Sequence, residues 1–249
     1  MLVIVFIYGL ITGSFANVCI SRIPEGISVV SPYSFCESCG HRLYFRDMIP
    51  VLNYVTSRGK CRYCNASYSV QHPIVETANA AIYALIYLKY GLNFVFVIYC
   101  LLSSLMLTIS VIDIEHMIIP DSLNVVGMML GTALMMNNSN LILDRMFGAL
   151  IGFGIFMGIA YVTKSMGGGD VKLSAVMGFI FGIEGILFIT ILSFVLGAVS
   201  CLAMIILEMK KMKDMVPFGP FICAAAFLYI FTGAEIVNSY INFVMQMVE

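Results

Sequence analysis

"LNFVFVIYCLLSSLMLTISVIDIEHMIIPDS", residues 92–122, begins with 21 residues from Leu92 to Ile112 that carry no charge and ends on Asp113, Glu115, His116 and Asp121. A run of that length crosses a hydrocarbon core about 30 Å thick at about 1.5 Å per helical residue. Similar runs recur through the 249 residues. The chain is 61% hydrophobic and only 11% charged, with no tryptophan, and its mean hydropathy is +0.98. This composition excludes an ordinary soluble domain. Lipid offers no water to backbone amides, so spanning segments are helices or closed barrels. Continuous apolar runs, rather than alternation, select helices. The expectation is an all-α polytopic membrane protein.

Working outward from that run, spans are expected at about 2–20, 74–89, 92–112, 122–137, 146–163, 173–183, 186–207 and 218–233, eight in all. The first lacks a basic leader and a small-residue cleavage site, so it reads as a retained helix. Three regions follow: a first transmembrane helix at 1–20, a loop domain at 21–73 and a helical bundle at 74–249. With the N-terminus outside, Arg22, Arg42, Arg46, Arg58, Lys60, Arg62, Lys164, Lys172, Lys210, Lys211 and Lys213 fall on the inner side, and only Lys89 and Arg145 outside. Basic loops stay in the cytoplasm, which puts the loop domain and the glycine run at 167–169 on that side. A net charge of −1 gives no sign of a nucleic-acid partner.

The loop carries "CESCGHRLYFRDMIPVLNYVTSRGKCRYC", in which Cys36, Cys39, Cys61 and Cys64 form two C-x2-C pairs separated by 21 residues. Two such knuckles close a tetrahedral thiolate site suited to zinc. The competing reading, redox pairs or disulfides, is disfavoured in a reducing cytoplasm. A loop this short buries little core, so a metal staple is physically sensible. Cys19, Cys100, Cys201 and Cys223 stand singly in apolar spans, where a small buried hydrophobe is the plain reading.

The carboxylates ending the opening stretch could be an ordinary helix terminus, with Pro120 and Asp121 starting the next helix. Asp170, in "SMGGGDVKLS" (165–174), is harder to explain that way. From Leu173 to Leu207 the chain is apolar except for Glu184, too long for one span, and "GIEG" at 182–185 is the evident turn. Asp170 then lies 14 residues before Glu184, about 21 Å along a helix. That leaves it at membrane depth, where an ionisable group marks a functional site. Three contiguous glycines loosen a helix, and side-chain-free backbone lets another chain approach closely. Close helix packing through small residues, the alternative, uses spaced glycines.

Asp170 in G-x-G-D, and Asp113 eight residues ahead of Asp121 in I-P-D, together resemble the type IV prepilin peptidases, membrane aspartic proteases. "GSFANVCISRIP" (13–24), the four-cysteine loop with "RGKCRYC" (58–64), "QHPIVE" (71–76) and "PFGPF" (217–221) agree with that resemblance. It implies that Asp113 and Asp170 are the catalytic pair, cutting the short basic leader of prepilins and pseudopilins at the cytoplasmic face of the inner membrane. Two carboxylates in one site divide into an acid and a base, one activating water and the other protonating the carbonyl. Glu115 and Asp121 are left as capping or positioning groups. Family members that keep the cysteine loop also methylate the new N-terminus with S-adenosylmethionine, and the resemblance places Arg58, Gly59 and Glu76 as candidates for that site. No dinucleotide-type glycine fingerprint supports a cofactor pocket independently. An enzyme that only cuts, using the zinc loop to dock substrate, is the alternative. A transporter would show matched helix interruptions in two halves, which are not found. A zinc-stabilised scaffold would need neither aspartate. The natural substrates and the oligomeric state are not legible.

Overall fold

The computed structural model describes every residue except 32, 37, 137–140, 165, 208–215, 234 and 236–249, and of Phe45 the backbone only. Lys210, Lys211 and Lys213, part of the basic tally above, lie outside the described residues. The helices are α1 (Leu2–Arg22), the short α2 (Leu52–Thr56), α3 (Gln71–Tyr90), α4 (Phe94–His116), α5 (Asp121–Met136), α6 (Ile142–Thr163), α7 (Gly168–Ile206) and α8 (Gly219–Leu228), the last continued by a π-helical turn, Tyr229–Gly233. Among the described residues the fold is all-helical, with two isolated β-bridges, Phe35 to Arg42 and Lys60 to Ser67.

Four helices, α1, α4, α6 and α7, are long and apolar enough to cross a membrane. The expected count of eight is therefore not reached on length and composition. Gln71, His72, Glu76, Asn79 and Lys89 dilute the hydropathy of α3. The 16 residues of α5 reach only about 24 Å.

Two compact units are present, Met1–Thr108 and Ile109–Glu249. In the first, α1 and α3 approach through glycine. A Cβ on Gly9 would meet the Ala80 backbone at 2.5 Å, and one on Gly13 the Glu76 backbone at 2.8 Å, a small-xxx-small contact. The fully buried Asn79 donates to Gly9 O and Thr12 Oγ1, both at 2.8 Å, and accepts from Ser104 Oγ at 2.8 Å. That one amide ties α1, α3 and α4 together where lipid would leave it unsatisfied.

In the second unit α7 is two arms. Gly182 (φ 73, ψ −169) breaks it in a conformation that side chains disfavour. Gly152 of α6 faces both Ser174 and Ile186, one on either side of the break, so the two arms lie back to back along α6. This is the turn expected at "GIEG", and Gly182 is its first residue. Asp144 contacts Gly182 and accepts from Ile183 N at 3.3 Å, supplying an acceptor for the start of the second arm. Gly148 and Gly178 meet backbone to backbone. Phe156, Phe194 and Phe218 then pack together, with ring centroids 4.9 to 6.0 Å apart, joining α6, α7 and the residue before α8.

Candidate active site and metal centre

In the second unit, α4 ends because Met117 turns to φ 54 while its amide still bonds to Asp113 O at 2.9 Å. Asp113 thus occupies the last turn of the helix. After Ile119, Pro120 presets the start of α5, and its carbonyl accepts from Leu123 N at 3.1 Å. The second carboxylate, Asp170, belongs to the first turn of α7, behind the extended Gly167. Both carboxylates are buried, Asp113 at 5% exposure and Asp170 at 9%.

Ile119 joins the two. A Cβ on Gly169 would lie 2.9 Å from Ile119 Cβ, and a Cβ on Gly219 would lie 3.1 Å from Ile119 Cδ1 and 2.7 Å from Asp113 Oδ2. Glycine at 169 and at 219 is therefore what lets both backbones close around Ile119. Gly219 N donates to Asp113 Oδ2 at 2.9 Å. Asp170 Oδ1 is buried without a hydrogen-bond partner. Gly169 and Gly219 thus bring the two carboxylate-bearing segments onto one isoleucine. Buried polar groups are ordinarily satisfied, so an open acceptor beside a second carboxylate is suited to a water or a peptide group.

The two carboxylates expected to cap or position, Glu115 and Asp121, are both exposed. Glu115 lies two residues along α4 from Asp113. Asp121 pairs with Lys172 Nζ at 2.7 and 2.8 Å, linking the starts of α5 and α7. Gly219 and Ile119 carry no charge and were not singled out by sequence. The "PFGPF" stretch was the available signal for the first, and Ile119 is the isoleucine of I-P-D itself.

In the first unit, the Sγ atoms of Cys36, Cys39, Cys61 and Cys64 all lie within 4.8 Å of one another. Cys36 and Cys64 are 3.9 Å apart, against about 3.8 Å for the edge of a tetrahedron with zinc–sulfur bonds of about 2.3 Å. Each knuckle is closed the same way. Cys36 N bonds to His41 O and Gly40 N to Cys36 O at 2.9 and 2.8 Å, while Cys61 N bonds to Ala66 O and Asn65 N to Cys61 O at 2.8 and 2.9 Å. Gly40 (φ 69) and Asn65 (φ 60) make the left-handed turn in each. His41 stacks on Tyr63 at 3.6 Å, joining the two knuckles. The amides of Tyr63 and Cys64, with the Tyr68 hydroxyl, hold the Cys61 thiol down at about 6, which favours the thiolate that binds metal. These four cysteines fit a metal such as zinc.

Arg58 (φ 54) and Gly59 (φ 69) share one turn, closed by Gly59 N to Tyr54 O at 2.8 Å. Glu76 is buried in α3 and accepts from Val51 N at 2.7 Å. The structure thus brings Arg58 and Gly59 together and anchors Glu76 at the start of α2. A cavity of about 380 Å³ in the same unit is lined by Phe15, Arg22, Tyr33, Arg42 and Tyr44 among others, and by none of those three.

Residues 7–90 match the bacterial peptidase A24 N-terminal domain, and residues 100–202 match the type IV leader peptidase family. Among curated proteins, one from Bacillus subtilis (strain 168) named prepilin leader peptidase/N-methyltransferase is 31% identical over 244 residues, covering 97% of this chain and 98% of that protein. Proteins of the same name from Myxococcus xanthus (strain DK1622) and Pseudomonas aeruginosa are 33% and 29% identical. They cover 82% and 94% of this chain and 63% and 91% of their own lengths. No solved structure matches.

Proposed function

The chain belongs to the type IV leader peptidase family and is an enzyme, and from that premise we propose that Asp113 and Asp170 cleave the leader peptide from type IV prepilins and pseudopilins at the cytoplasmic face of the inner membrane. The observation that carries this reading is the closure of Gly169 and Gly219 on Ile119, which brings together the segments that carry the two buried carboxylates. The ionised carboxylate takes a proton from water as the water oxygen attacks the scissile carbonyl, and the protonated one donates to the carbonyl oxygen. Collapse of the tetrahedral species passes a proton to the leaving amine, with no acyl-enzyme. Gly219 N fixes the orientation of Asp113, and the unpartnered Asp170 Oδ1 leaves an acceptor for the water. In this reading all eight apolar segments lie in the membrane, and the four cysteines hold zinc on the cytoplasmic side as a domain spanning 21–73. The test is cleavage of a purified prepilin by the protein in detergent. Asp113→Asn or Asp170→Asn that cuts near the parent rate removes that residue from the pair.

The methyltransferase part of the relatives' name supports a second activity, transfer of a methyl group from S-adenosylmethionine to the newly exposed amine. When bound, that cofactor supplies the electrophilic methyl. Arg58, Gly59 and Glu76 are the residues proposed to serve it, on resemblance. The cavity at Tyr33 and Tyr44 is in the size range of small-ligand sites, and its aromatic and arginine lining suits an adenine and a carboxylate. Calorimetric titration of S-adenosylmethionine into Arg58→Ala and Arg42→Ala decides between the two locations, because only the residue in contact changes the affinity.

A further inference from the structure

One face of α5 forms the wall of a groove of about 500 Å³. It is built from the stripe Asp121, Asn124, Val125, Met128 and Met129, with Lys172 of α7 opposite. The spacing i, i+3, i+4, i+7, i+8 is one side of a helix. Asp121 and Lys172 stand two residues past Ile119 and Asp170, so the groove begins at the same helix ends as the aspartate site, on a neighbouring face. Its polar mouth is the Asp121–Lys172 pair, and beyond it Val125, Met128 and Met129 are exposed.

Asn124 is the anomaly in this wall. It is 6% exposed, and both its Nδ2 and its Oδ1 are buried without a hydrogen-bond partner. A side-chain amide offers two donors and an acceptor, and nothing in the described residues uses any of them. A lipid acyl chain could cover the methionines but could not satisfy this amide. A peptide unwinding from a helix presents free N–H and C=O groups together, and methionine accommodates varied apolar side chains.

We propose that this groove seats the apolar membrane-embedded stretch of the peptidase's substrate, and that Asn124 pairs with the substrate main chain where that stretch unwinds toward Asp113 and Asp170. This rests on the peptidase reading above. Asn124 is a positioning residue, holding the scissile bond in register rather than touching the reacting atoms.

The test uses the full chain in lipid nanodiscs with a purified prepilin carrying its complete apolar segment. A benzophenone photoprobe replaces Met129, or Val199 on the second arm of α7 as a control. Parent cleavage, read in the same preparation, reports on the peptidase reading by itself. The Met129 probe is expected to cross-link the apolar segment and the Val199 probe is not. Asn124→Leu is expected to raise KM roughly tenfold with kcat little changed, with Asn124→Gln recovering part of the loss. Cross-linking without cleavage would keep the docking groove and sink the peptidase reading. Cleavage with cross-links to lipid only, or equally from both probes, overturns the groove. An Asn124→Leu variant that is more heat-stable with KM unchanged reduces Asn124 to a packing residue and overturns its positioning role.

Discussion

The Gly219 amide donates to Asp113 Oδ2 at 2.9 Å across 106 residues of sequence. The same glycine has no room for a side chain, since a Cβ would stand 2.7 Å from that oxygen. Gly219→Ala therefore pushes the carboxylate out of position while leaving the helices intact. A displacement near 1 Å costs on the order of a hundredfold in rate. Cleavage by Gly219→Ala is expected to drop by about that factor, at normal expression and an unchanged melting temperature. A variant cutting at the parent rate would show that the amide contact does not position Asp113.

For the carboxylates themselves, Asp113→Asn and Asp170→Asn are each expected to abolish cleavage, because asparagine keeps the size but can neither take up nor release the proton. Glu115→Gln is expected to stay near the parent rate. It is exposed, and residues two apart on a helix do not share a face. Initial rates on a purified prepilin, with membrane insertion checked by extraction of each variant, read all three. A large loss with Glu115→Gln would bring that residue into the chemistry.

Gly148 and Gly178 meet backbone to backbone. Gly178→Leu forces α6 and the first arm of α7 apart, and overpacking of this kind costs about 1–3 kcal/mol or more. The expected result is a lower melting temperature in detergent and a reduced yield, with the fraction that does fold still binding metal. A variant melting at the parent temperature would mean the two helices do not rely on this contact.

These predictions differ in how far the sequence could have supplied them. The helices were legible because an uncharged run of about 20 residues has few other uses. Gly182 was legible as a turn because 35 apolar residues cannot be one span. The cysteine spacing carried the four-sulfur cluster, because the two knuckles are local structures. Asp170 stood out by its expected depth in the membrane and by resemblance, Asp113 by resemblance alone. Gly219 and Ile119 did not, because their roles exist only once three distant segments meet. Nothing in the sequence marks Asn124, since a missing hydrogen-bond partner is a property of packing alone. Only four helices qualify as spans on length and hydropathy, in part because α3 mixes polar residues facing α1 with apolar ones and linear hydropathy does not resolve faces.

The last prediction concerns the four cysteines, which lie in the first compact unit while both aspartates lie in the second. Their Sγ atoms are gathered within 4.8 Å, and the backbone turns at Gly40 and Asn65 hold them there. Much of the ordering free energy of a small site of this kind comes from the metal. The parent protein is expected to hold about one zinc per chain, measured by elemental analysis after extensive dialysis. Cys61→Ser removes a buried ligand and is expected to abolish that zinc and loosen the segment around it. Methyl transfer to a pre-cleaved pilin should then be lost almost completely, and cleavage should fall only severalfold through poorer substrate presentation or abundance. Stripping the parent with a chelator should reproduce both effects, and zinc should reverse them. If the stripped enzyme methylates normally but cannot cut, the metal serves the peptidase instead. If cutting and methylation fall together and are restored together, the loop docks substrate for both reactions.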